Sequence, residues 1–375
     1  MNKNMVTVEP AAEVTAAGAA KSIFDVLNAH RGELHLVVLQ DFPDPDAISS
    51  AYAHQLISAE FNIEVDIIYK GKISHQQNIA LVRLLGIELI PYEKSINFEQ
   101  YDGAVFVDTQ GTTSEEIVQG LEAAGVPILI VVDHHEKQDR LQPEFDDIRR
   151  TGAAATIYGE YLQQGPVEMN KTRKEHRIAA TALVHGIMTD TNIFVQANSE
   201  DFQVVAFLSQ FRDADLLGQI MSQSRSKPVM EVIRRALEGR VITENFSTAG
   251  IGYLRADDRD AIPQATDFLL TEENVHTAIV YGIVTSETQD EILVGSLRTS
   301  KITLDPDGFL KEVFGKNELG NFFGGGKPLA GGFEIGIGFL SGGYTDSYRD
   351  LKWEVFDAQV KQKIFAKIGV KPEKA

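Results

Sequence analysis

Two aspartates on either side of a proline form the first group of residues with the potential for chemistry. The stretch "VVLQDFPDPDAISSAY", residues 37–52, places Asp44 and Asp46 between an apolar run and a helical pattern. Pro45 biases Asp44 toward extended backbone, and residues two apart on extended backbone project to the same side. One aspartate at such a turn is usually a helix N-cap, so this alternative stays open for Asp46. The pair together favours metal binding.

Two later apolar runs also end in polar ligands. "GAVFVDTQG" carries Asp108, and "VPILIVVDHHEKQ" carries Asp133, His134 and His135. If these runs are parallel strands, their carboxyl ends share one edge of the sheet, and we expect the side chains to meet in one crevice. Clustered carboxylates repel one another without a cation. Oxygen and nitrogen ligands without sulfur suit Mn²⁺, Mg²⁺, Co²⁺ or Zn²⁺, and shared carboxylates suggest a two-metal cluster of the kind that activates water and clamps phosphoryl oxygens.

The elements that must position these residues alternate along the first half of the chain. Helical spacing of apolar residues separates the short β-branched runs, which predicts a mostly parallel sheet with helices on both faces. The predicted strands are residues 34–39, 63–69, 103–108 and 126–133, and the predicted helices between them are residues 47–61, 75–86 and 114–125.

The second half has a different pattern, which predicts a smaller mixed α/β domain. It contains the predicted strands 250–256, 276–285 and 291–299, a helix at 307–315, and the glycine-dense stretch "FFGGGKPLAGGFEIGIGFL". The polar segment 216–230 contains Pro228 and is interpreted as a linker. The predicted organisation is therefore a flexible tail at 1–20, a metal-binding domain at 21–215, this linker, and a substrate domain at 231–375.

The composition restricts the partners. The 375 residues include no cysteine, which fits a reducing compartment, and the formal net charge of -19 disfavours binding of long nucleic acid. No apolar run approaches the roughly 18 residues that a membrane helix needs. The first residues lack the basic start and apolar centre of a secretory signal. We therefore expect a soluble cytoplasmic protein that does not associate with membranes.

A fourth segment, "GIMTDTNIF", places Asp190 where a helical run stops. Alone, Asp190 is equally compatible with an ordinary helix-end residue. The segments "DFPDPDA", "FVDTQG", "VVDHHE" and "GIMTDTNIF", in this order, resemble the four motifs of the DHH phosphoesterase superfamily. In the second half, "GSLRTS" and "GGGKPLAGG" are similar to the arginine-bearing strand and glycine-rich loop of the DHHA1-type substrate domain.

The resemblance implies a two-metal ligand set. Asp44 and Asp108 would bind one ion, and Asp46, Asp108, His134 and Asp190 the other. Asp108 would thus bridge the pair. The implied ion is Mn²⁺, with Mg²⁺ or Co²⁺ as alternatives.

The resemblance also implies roles beyond metal binding. Asp133 would orient a histidine, and His135 would contact the substrate phosphate or donate a proton. Arg298 would grip a terminal phosphate, and the backbone amides of Gly324, Gly325 and Gly326 would approach a phosphate closely. Lys327 stands where most relatives have histidine. Lysine supplies positive charge to a phosphate but cannot stack on a base as histidine can, so the implied recognition of a nucleobase is less secure than that of phosphate.

Position 40 is the second departure from the resemblance, because Gln40 stands where most bacterial members carry a histidine. Whether this amide coordinates a metal stays open.

The implied activity is hydrolysis of short oligoribonucleotides or small (di)nucleotides in a cleft between the domains. Exopolyphosphatase activity is the alternative, and a non-catalytic nucleotide-binding scaffold is a more distant one. A homodimer is possible.

Overall fold

The structure, a computed structural model, describes residues 22–73, 75–285, 290–343 and 345–370. The chain divides into two compact units with the boundary between Gln223 and Ser224. The predicted tail at 1–20 lies outside the described residues. No helix in the described ranges is both long and apolar enough to cross a membrane.

The first unit is built on a six-stranded sheet, counted over its described residues, in which each strand is parallel to its neighbours. The strand order is β3-β2-β1-β4-β5-β6, with bounds Leu34–Val38 (β1), Glu64–Tyr69 (β2), Ile90–Pro91 (β3), Gly103–Val107 (β4), Ile128–Asp133 (β5) and Phe145–Ile148 (β6). The helices are Ile23–Ala29 (α1), Pro45–Ala59 (α2), Gln76–Leu85 (α3), Glu115–Ala124 (α4), Ala154–Gln164 (α5), Lys174–Asp190 (α6), Ser199–Leu208 (α7) and Ala214–Met221 (α8).

Helices cover both faces of this sheet, and alternate residues of each strand enter different cores. On β1, Val37 packs into the core that includes α2, α5 and α6, whereas Leu36 and Val38 pack into the core that includes α4. A strand buried on both faces reads as a continuous apolar run, and this is why β1, β2, β4 and β5 were recognisable in the sequence. The parallel sheet with flanking helices confirms the predicted fold class.

The start of α2 corrects one prediction. The helix begins at Pro45, so Asp44 is its N-cap and accepts a hydrogen bond from the Ala47 amide at 3.0 Å. Asp46 therefore lies in the first helical turn and not on extended backbone. Proline is favoured at the first helical position, where its missing N–H costs no hydrogen bond. The two aspartates do not project to one side of a strand.

The second unit contains a mixed sheet in the order β11-β12-β10-β9-β8-β7, in which β8 and β9 run parallel and the other neighbours antiparallel. Its strands are Arg240–Thr243 (β7), Phe246–Arg255 (β8), Thr277–Thr285 (β9), Glu291–Thr299 (β10), Gly324–Lys327 (β11) and Ala330–Gly336 (β12). Its helices are Lys227–Gly239 (α9), Ala261–Leu269 (α10), Pro306–Phe314 (α11) and Asp346–Lys367 (α12).

The glycine-dense stretch is largely a hairpin of β11 and β12. A Cβ on Gly326 would lie 2.6 Å from the carbonyl oxygen of Ala330, so close strand pairing accounts for this glycine. The predicted linker at 216–230 also differs from the structure. The boundary falls inside it, but α8 and α9 include most of the segment and only residues 222–226 are outside a helix.

Candidate metal centre

The carboxyl ends of three neighbouring strands place the predicted ligands. Strands β1, β4 and β5 are adjacent and parallel, so the segments that follow Val38 and Val107, and the end of β5 at Asp133, lie along the same edge of the sheet. Gln40, Asp108 and His134 come from these three segments. The sheet thus brings together residues that are far apart in the sequence.

Asp46 binds the amino end of another helix. Its Oδ2 accepts a hydrogen bond from the Ala154 amide at 2.7 Å, and its Oδ1 accepts one from the Ala155 amide at 2.7 Å. These are the first two residues of α5, and Ala153 at the N-cap has no side-chain acceptor. A carboxylate is favoured there by the free amides and the helix dipole. The wholly buried Asp46 is therefore anchored before any metal binds.

Helix α6 brings Asp190 to the same place because Gly186 allows close packing against α2. A Cβ on Gly186 would lie 2.5 Å from the Ser49 hydroxyl and 3.1 Å from the Asp46 Cα. Asp190 lies about one turn further along, at the end of α6. The close helix contact thus sets the position of Asp190 relative to Asp46.

His134 faces three carboxylates with one ring nitrogen. Its Nε2 lies 3.0 Å from Asp190 Oδ2, 3.4 Å from Asp108 Oδ1 and 3.8 Å from Asp46 Oδ2. The other nitrogen, Nδ1, lies 3.3 Å from the Thr151 carbonyl oxygen, to which it donates. That hydrogen bond selects the tautomer whose Nε2 is a free lone pair, the form that binds a metal.

Asp108 is the central carboxylate of the cluster. Its backbone is left-handed, with a φ of 54°, a strained conformation for a non-glycine residue. Oδ2 accepts from Gln40 Nε2 at 3.3 Å, while the buried Oδ1 has no hydrogen-bond partner among the described residues. A buried carboxylate oxygen with no donor is destabilising unless a cation neutralises it. The residues around this oxygen, His134 among them, are of the kinds that hold a divalent ion.

Burial and mutual repulsion shift the ionisation of the cluster. Burial and the nearby Asp190 carboxylate raise the pKa of Asp46 to about 8. Burial, followed by the charges of Asp46 and Asp44, raises the pKa of Asp108 well above its ordinary value. Burial opposes charge on His134, but the hydrogen bond to Asp190 and the surrounding carboxylates outweigh it and raise the pKa to about 9. The protein without a cation therefore holds protons where a metal would sit.

Asp133 and His135 form a hydrogen-bonded pair within the cluster, where His135 Nδ1 also lies 3.6 Å from Asp108 Oδ1. Asp133 Oδ1 accepts from His135 Nδ1 at 2.8 Å and from the His135 amide at 3.1 Å. The imidazole is 53% exposed, whereas Asp133 is buried. Burial opposes the charge on Asp133, but hydrogen bonds from His135 and Gln110 outweigh it and lower its pKa. The carboxylate orients a histidine that remains accessible to a substrate.

Gln110 completes this arrangement and was not among the predicted residues. Its Nε2 donates to Asp133 Oδ2 at 2.8 Å and to the Glu136 carbonyl at 3.1 Å, while its Oε1 accepts from the Gln138 amide at 2.6 Å. The sequence signal that could have identified Gln110 is its position. It lies two residues after Asp108, in the segment that contacts the neighbouring strand end. The buried amide immobilises the Asp133 carboxylate.

Two overlapping ligand groups follow from these distances. Ligand atoms of Asp46, His134 and Asp190 lie within 4.8 Å of one another, as do those of Asp108, Asp133, His134 and His135. Asp44 belongs to neither group: it caps α2, and its charge acts on Asp46 and Asp108. The two-ion assignment inferred from the resemblance stays a prediction, since only the groups themselves are observed.

The predicted substrate residues lie in the second unit. Arg298 Nε pairs with Asp267 Oδ1 at 2.9 Å, and its Nη1 donates to the Ser296 hydroxyl at 3.0 Å. Lys327 is exposed at the end of β11, and Gly324 and Gly325 line a cavity of about 730 Å³. Arg298 and Lys327 do not line this cavity.

Sequence comparison provides one relative. No family model matches the chain. An uncharacterized protein of Methanocaldococcus jannaschii is 33% identical over 341 residues, which are 90% of this chain and 65% of that protein. The chain thus spans less than two thirds of the relative's length.

Structure comparison gives a more informative likeness. A crystal structure of an exopolyphosphatase-related protein from Bacteroides fragilis matches with a TM-score of 0.64 and 15% identity, over 92% of this chain and 96% of that chain. A crystal structure of RecJ with Mn²⁺ from Thermus thermophilus matches with a TM-score of 0.48 and 12% identity, over 91% of this chain and 54% of that chain. The first likeness extends through both units, and the chain therefore shares the α/β fold of that exopolyphosphatase-related protein.

Proposed function

We propose that this protein is a divalent-metal-dependent phosphoesterase that hydrolyses a small anionic phosphate substrate. The observation that carries the proposal is the buried Asp108 Oδ1, which accepts no hydrogen bond among the described residues and lies 3.4 Å from the Nε2 of His134. Asp46 and Asp190 point at the same imidazole from two other elements. Oxygen and imidazole ligands without thiolates suit Mn²⁺, Mg²⁺ or Co²⁺, and we propose Mn²⁺ as the working ion.

A divalent cation bound here would polarise a phosphoryl oxygen and lower the pKa of a water molecule. The residues of the chain prepare that chemistry. The hydrogen bonds from the α5 amides hold Asp46, and the Thr151 carbonyl directs the Nε2 lone pair of His134 into the cluster. Because these groups are already oriented, little reorganisation is needed when substrate binds.

His135 is the proposed proton donor or phosphate contact. Asp133 holds its Nδ1, so that Nε2 is the nitrogen available to a substrate. A protonated imidazole in this position can stabilise charge on a phosphoryl oxygen or protonate the leaving oxygen. The same pairing of a buried carboxylate with an accessible histidine orients the general acid in many hydrolases.

The substrate class we propose is a short oligoribonucleotide or a linear dinucleotide. In its favour, the cavity in the second unit combines the aromatic ring of Phe322, the Ser296 hydroxyl and exposed glycine backbone, which together suit a nucleoside. The cation that lines this cavity, Arg259, is already paired with Glu334, and Asp260 lies beside it. Such a lining suits one or two phosphates better than a long polyanion.

Polyphosphate hydrolysis is the second candidate. One of the similar structures is an exopolyphosphatase-related protein, and Gln40 and Lys327 both depart from the motifs that the chain otherwise resembles. The two candidates differ in what they require of Phe322. Replacing Phe322 with alanine should raise KM for nucleotide substrates more than KM for polyphosphate, because a base can stack on the ring whereas phosphate would contact the Lys311 and Lys316 ammonium groups that lie over it.

A hydrolysis panel tests the proposal. Purified protein with Mn²⁺ is incubated with di- to pentaribonucleotides, cyclic dinucleotides, 3'-phosphoadenosine 5'-phosphate and polyphosphate. Asp108→Ala should abolish turnover, and Asp139→Ala, an exposed aspartate outside the cluster, is the matched control. Equal turnover by the wild type and Asp108→Ala would refute the metal-centre mechanism.

Metal binding itself gives a second measurement that does not depend on activity. Titration with Mn²⁺, followed by electron paramagnetic resonance of the free ion, should show tight binding that Asp108→Ala weakens and Asp139→Ala leaves intact. Nucleotide binding without turnover of any panel substrate would instead indicate a non-catalytic nucleotide-binding protein.

A further inference from the structure

A second group of metal-type ligands lies at the opposite edge of the first unit's sheet. His30 and Glu33 belong to the turn between α1 and β1, and His35 is the second residue of β1. The candidate metal centre lies beyond the other end of this strand. With about 3.3 Å per residue, the five residues from His35 to Gln40 separate the two places by roughly 16 Å. The two groups therefore share no residue.

The two imidazoles converge on one oxygen of the Glu33 carboxylate. Glu33 Oε2 lies 2.8 Å from His30 Nδ1 and 3.1 Å from His35 Nε2. The ligand atoms of all three residues lie within 4.8 Å of one another. Tetrahedral coordination at about 2.0–2.1 Å needs ligand atoms about 3.3 Å apart. The two nitrogens need to separate from the carboxylate oxygen by only a few tenths of an ångström.

A fourth residue holds the outer side of His30. Glu144, directly before β6, places its Oε1 3.2 Å from His30 Nε2. A neutral imidazole has one N–H, so His30 cannot donate to both Glu33 and Glu144 unless it is doubly protonated. With a cation on Nδ1, the single proton on Nε2 satisfies Glu144. A ligating histidine whose other nitrogen donates to a carboxylate is the usual arrangement at protein metal sites.

His35 supplies an independent observation. Its imidazole is wholly buried, and its Nδ1 has no hydrogen-bond partner among the described residues. A buried polar atom without a partner is destabilising. An apolar side chain would avoid that cost if the position served only packing. The other nitrogen, Nε2, lies 3.1 Å from Glu33 Oε2 and is the atom of this imidazole that faces the other two side chains.

We propose that His30 Nδ1, Glu33 Oε2 and His35 Nε2 bind one divalent transition-metal ion of the Zn²⁺ or Co²⁺ type, with Glu144 as the positioning residue. Two imidazoles and one carboxylate suit these ions and disfavour Mg²⁺ and Ca²⁺, which prefer oxygen. The ion would connect the α1–β1 turn to β1 and, through Glu144, to the start of β6. The site would stabilise the first unit and would be separate from the phosphoesterase chemistry.

Metal counting with single substitutions tests the site. The full-length protein is stripped with a chelator, dialysed against Zn²⁺, and measured by plasma mass spectrometry beside His30→Ala, Glu33→Gln and Glu144→Gln. We expect His30→Ala and Glu33→Gln to lose about one equivalent of zinc, and Glu144→Gln to bind it about 10- to 100-fold more weakly. Glu64→Gln is the matched control, because Glu64 is an exposed glutamate on the same edge, paired in register with Leu34.

Co²⁺ absorption identifies the ligands and separates this site from the metal centre. Because the chain has no cysteine, the visible spectrum is free of thiolate charge-transfer bands. The ligand-field bands that His30→Ala removes should persist in Asp108→Ala. Circular dichroism shows whether each variant is folded. Unchanged zinc stoichiometry and an unchanged cobalt spectrum in folded His30→Ala and Glu33→Gln would overturn the proposal, whatever the outcome of the hydrolysis panel.

Discussion

Truncation of Gln110 to alanine tests the role of the Asp133–His135 pair most directly. The substitution removes three hydrogen bonds: to the Asp133 carboxylate, the Glu136 carbonyl and the Gln138 amide. The Asp133 Oδ1 contacts to the imidazole and amide of His135 remain. The carboxylate keeps its partner but loses the group that stops it from rotating.

The expected magnitudes follow from those contacts. A hydrogen bond to a charged group contributes about 1.5–3 kcal/mol and each of the two neutral ones about 1 kcal/mol, so the free energy of unfolding should fall by about 3.5–5 kcal/mol. The pKa of Asp133 should rise, because the Gln110 hydrogen bond helps to lower it. Positioned acid–base catalysis contributes about 10²–10⁴-fold. Loss of orientation alone should lower kcat by about tenfold.

Three measurements are needed: urea unfolding, kcat on the best panel substrate, and the midpoint of Mn²⁺ activation. The Mn²⁺ midpoint should change little, since Gln110 contacts neither His134 nor Asp46. Gln138→Ala is the control, because it keeps the backbone amide that Gln110 binds and removes an exposed side chain. If Gln110→Ala is less stable but its folded fraction turns over at the wild-type rate, the orientation of His135 by Asp133 has no catalytic role.

Three further predictions concern the metal centre. Gly186→Ala places a Cβ 2.5 Å from the Ser49 hydroxyl and 3.1 Å from backbone atoms of α2. It should lower the free energy of unfolding by about 1–3 kcal/mol and weaken Mn²⁺ binding. The control is Gly218→Ala, whose Cβ would have no atom within 4 Å and which should be neutral or slightly stabilising. Wild-type behaviour of Gly186→Ala would contradict the close α2–α6 contact. The metal-free protein should lose stability as pH rises from about 4 to about 9. The folded-state pKa values of Asp46 and His134 are raised to about 8 and about 9. Each group therefore stabilises the folded state fully at a pH below its unfolded-state pKa, and this contribution is lost as pH rises through its folded-state pKa. Chemical unfolding across this range in a chelator measures the slope, and a rise in stability with pH would show that the sign is wrong. Gln40→His should lower the Mn²⁺ concentration for half-maximal activity by about tenfold, since imidazole is the better ligand; an unchanged titration would place residue 40 outside the ligand set.

The amino-acid sequence by itself determined the parallel sheet and the edge that carries the metal centre. Strands β1, β4 and β5 are buried on both faces, so their apolar runs are visible without a structure. Parallel strands end on one edge, and this places Asp108 and His134 together by topology alone. Local patterning was sufficient because each strand carries its ligand directly at its end.

Contacts between distant segments decided the rest. Asp46 binds the amino end of α5, 108 residues further along, and Gln110 fixes Asp133 on the neighbouring strand. No periodicity in the sequence records such pairings, because each depends on how separate helices and strands pack. The glycines of β11 likewise have a partner strand that local sequence does not specify. His35 shows the same limit: an imidazole within an apolar run reads as a core residue until the fold places Glu33 and His30 beside it.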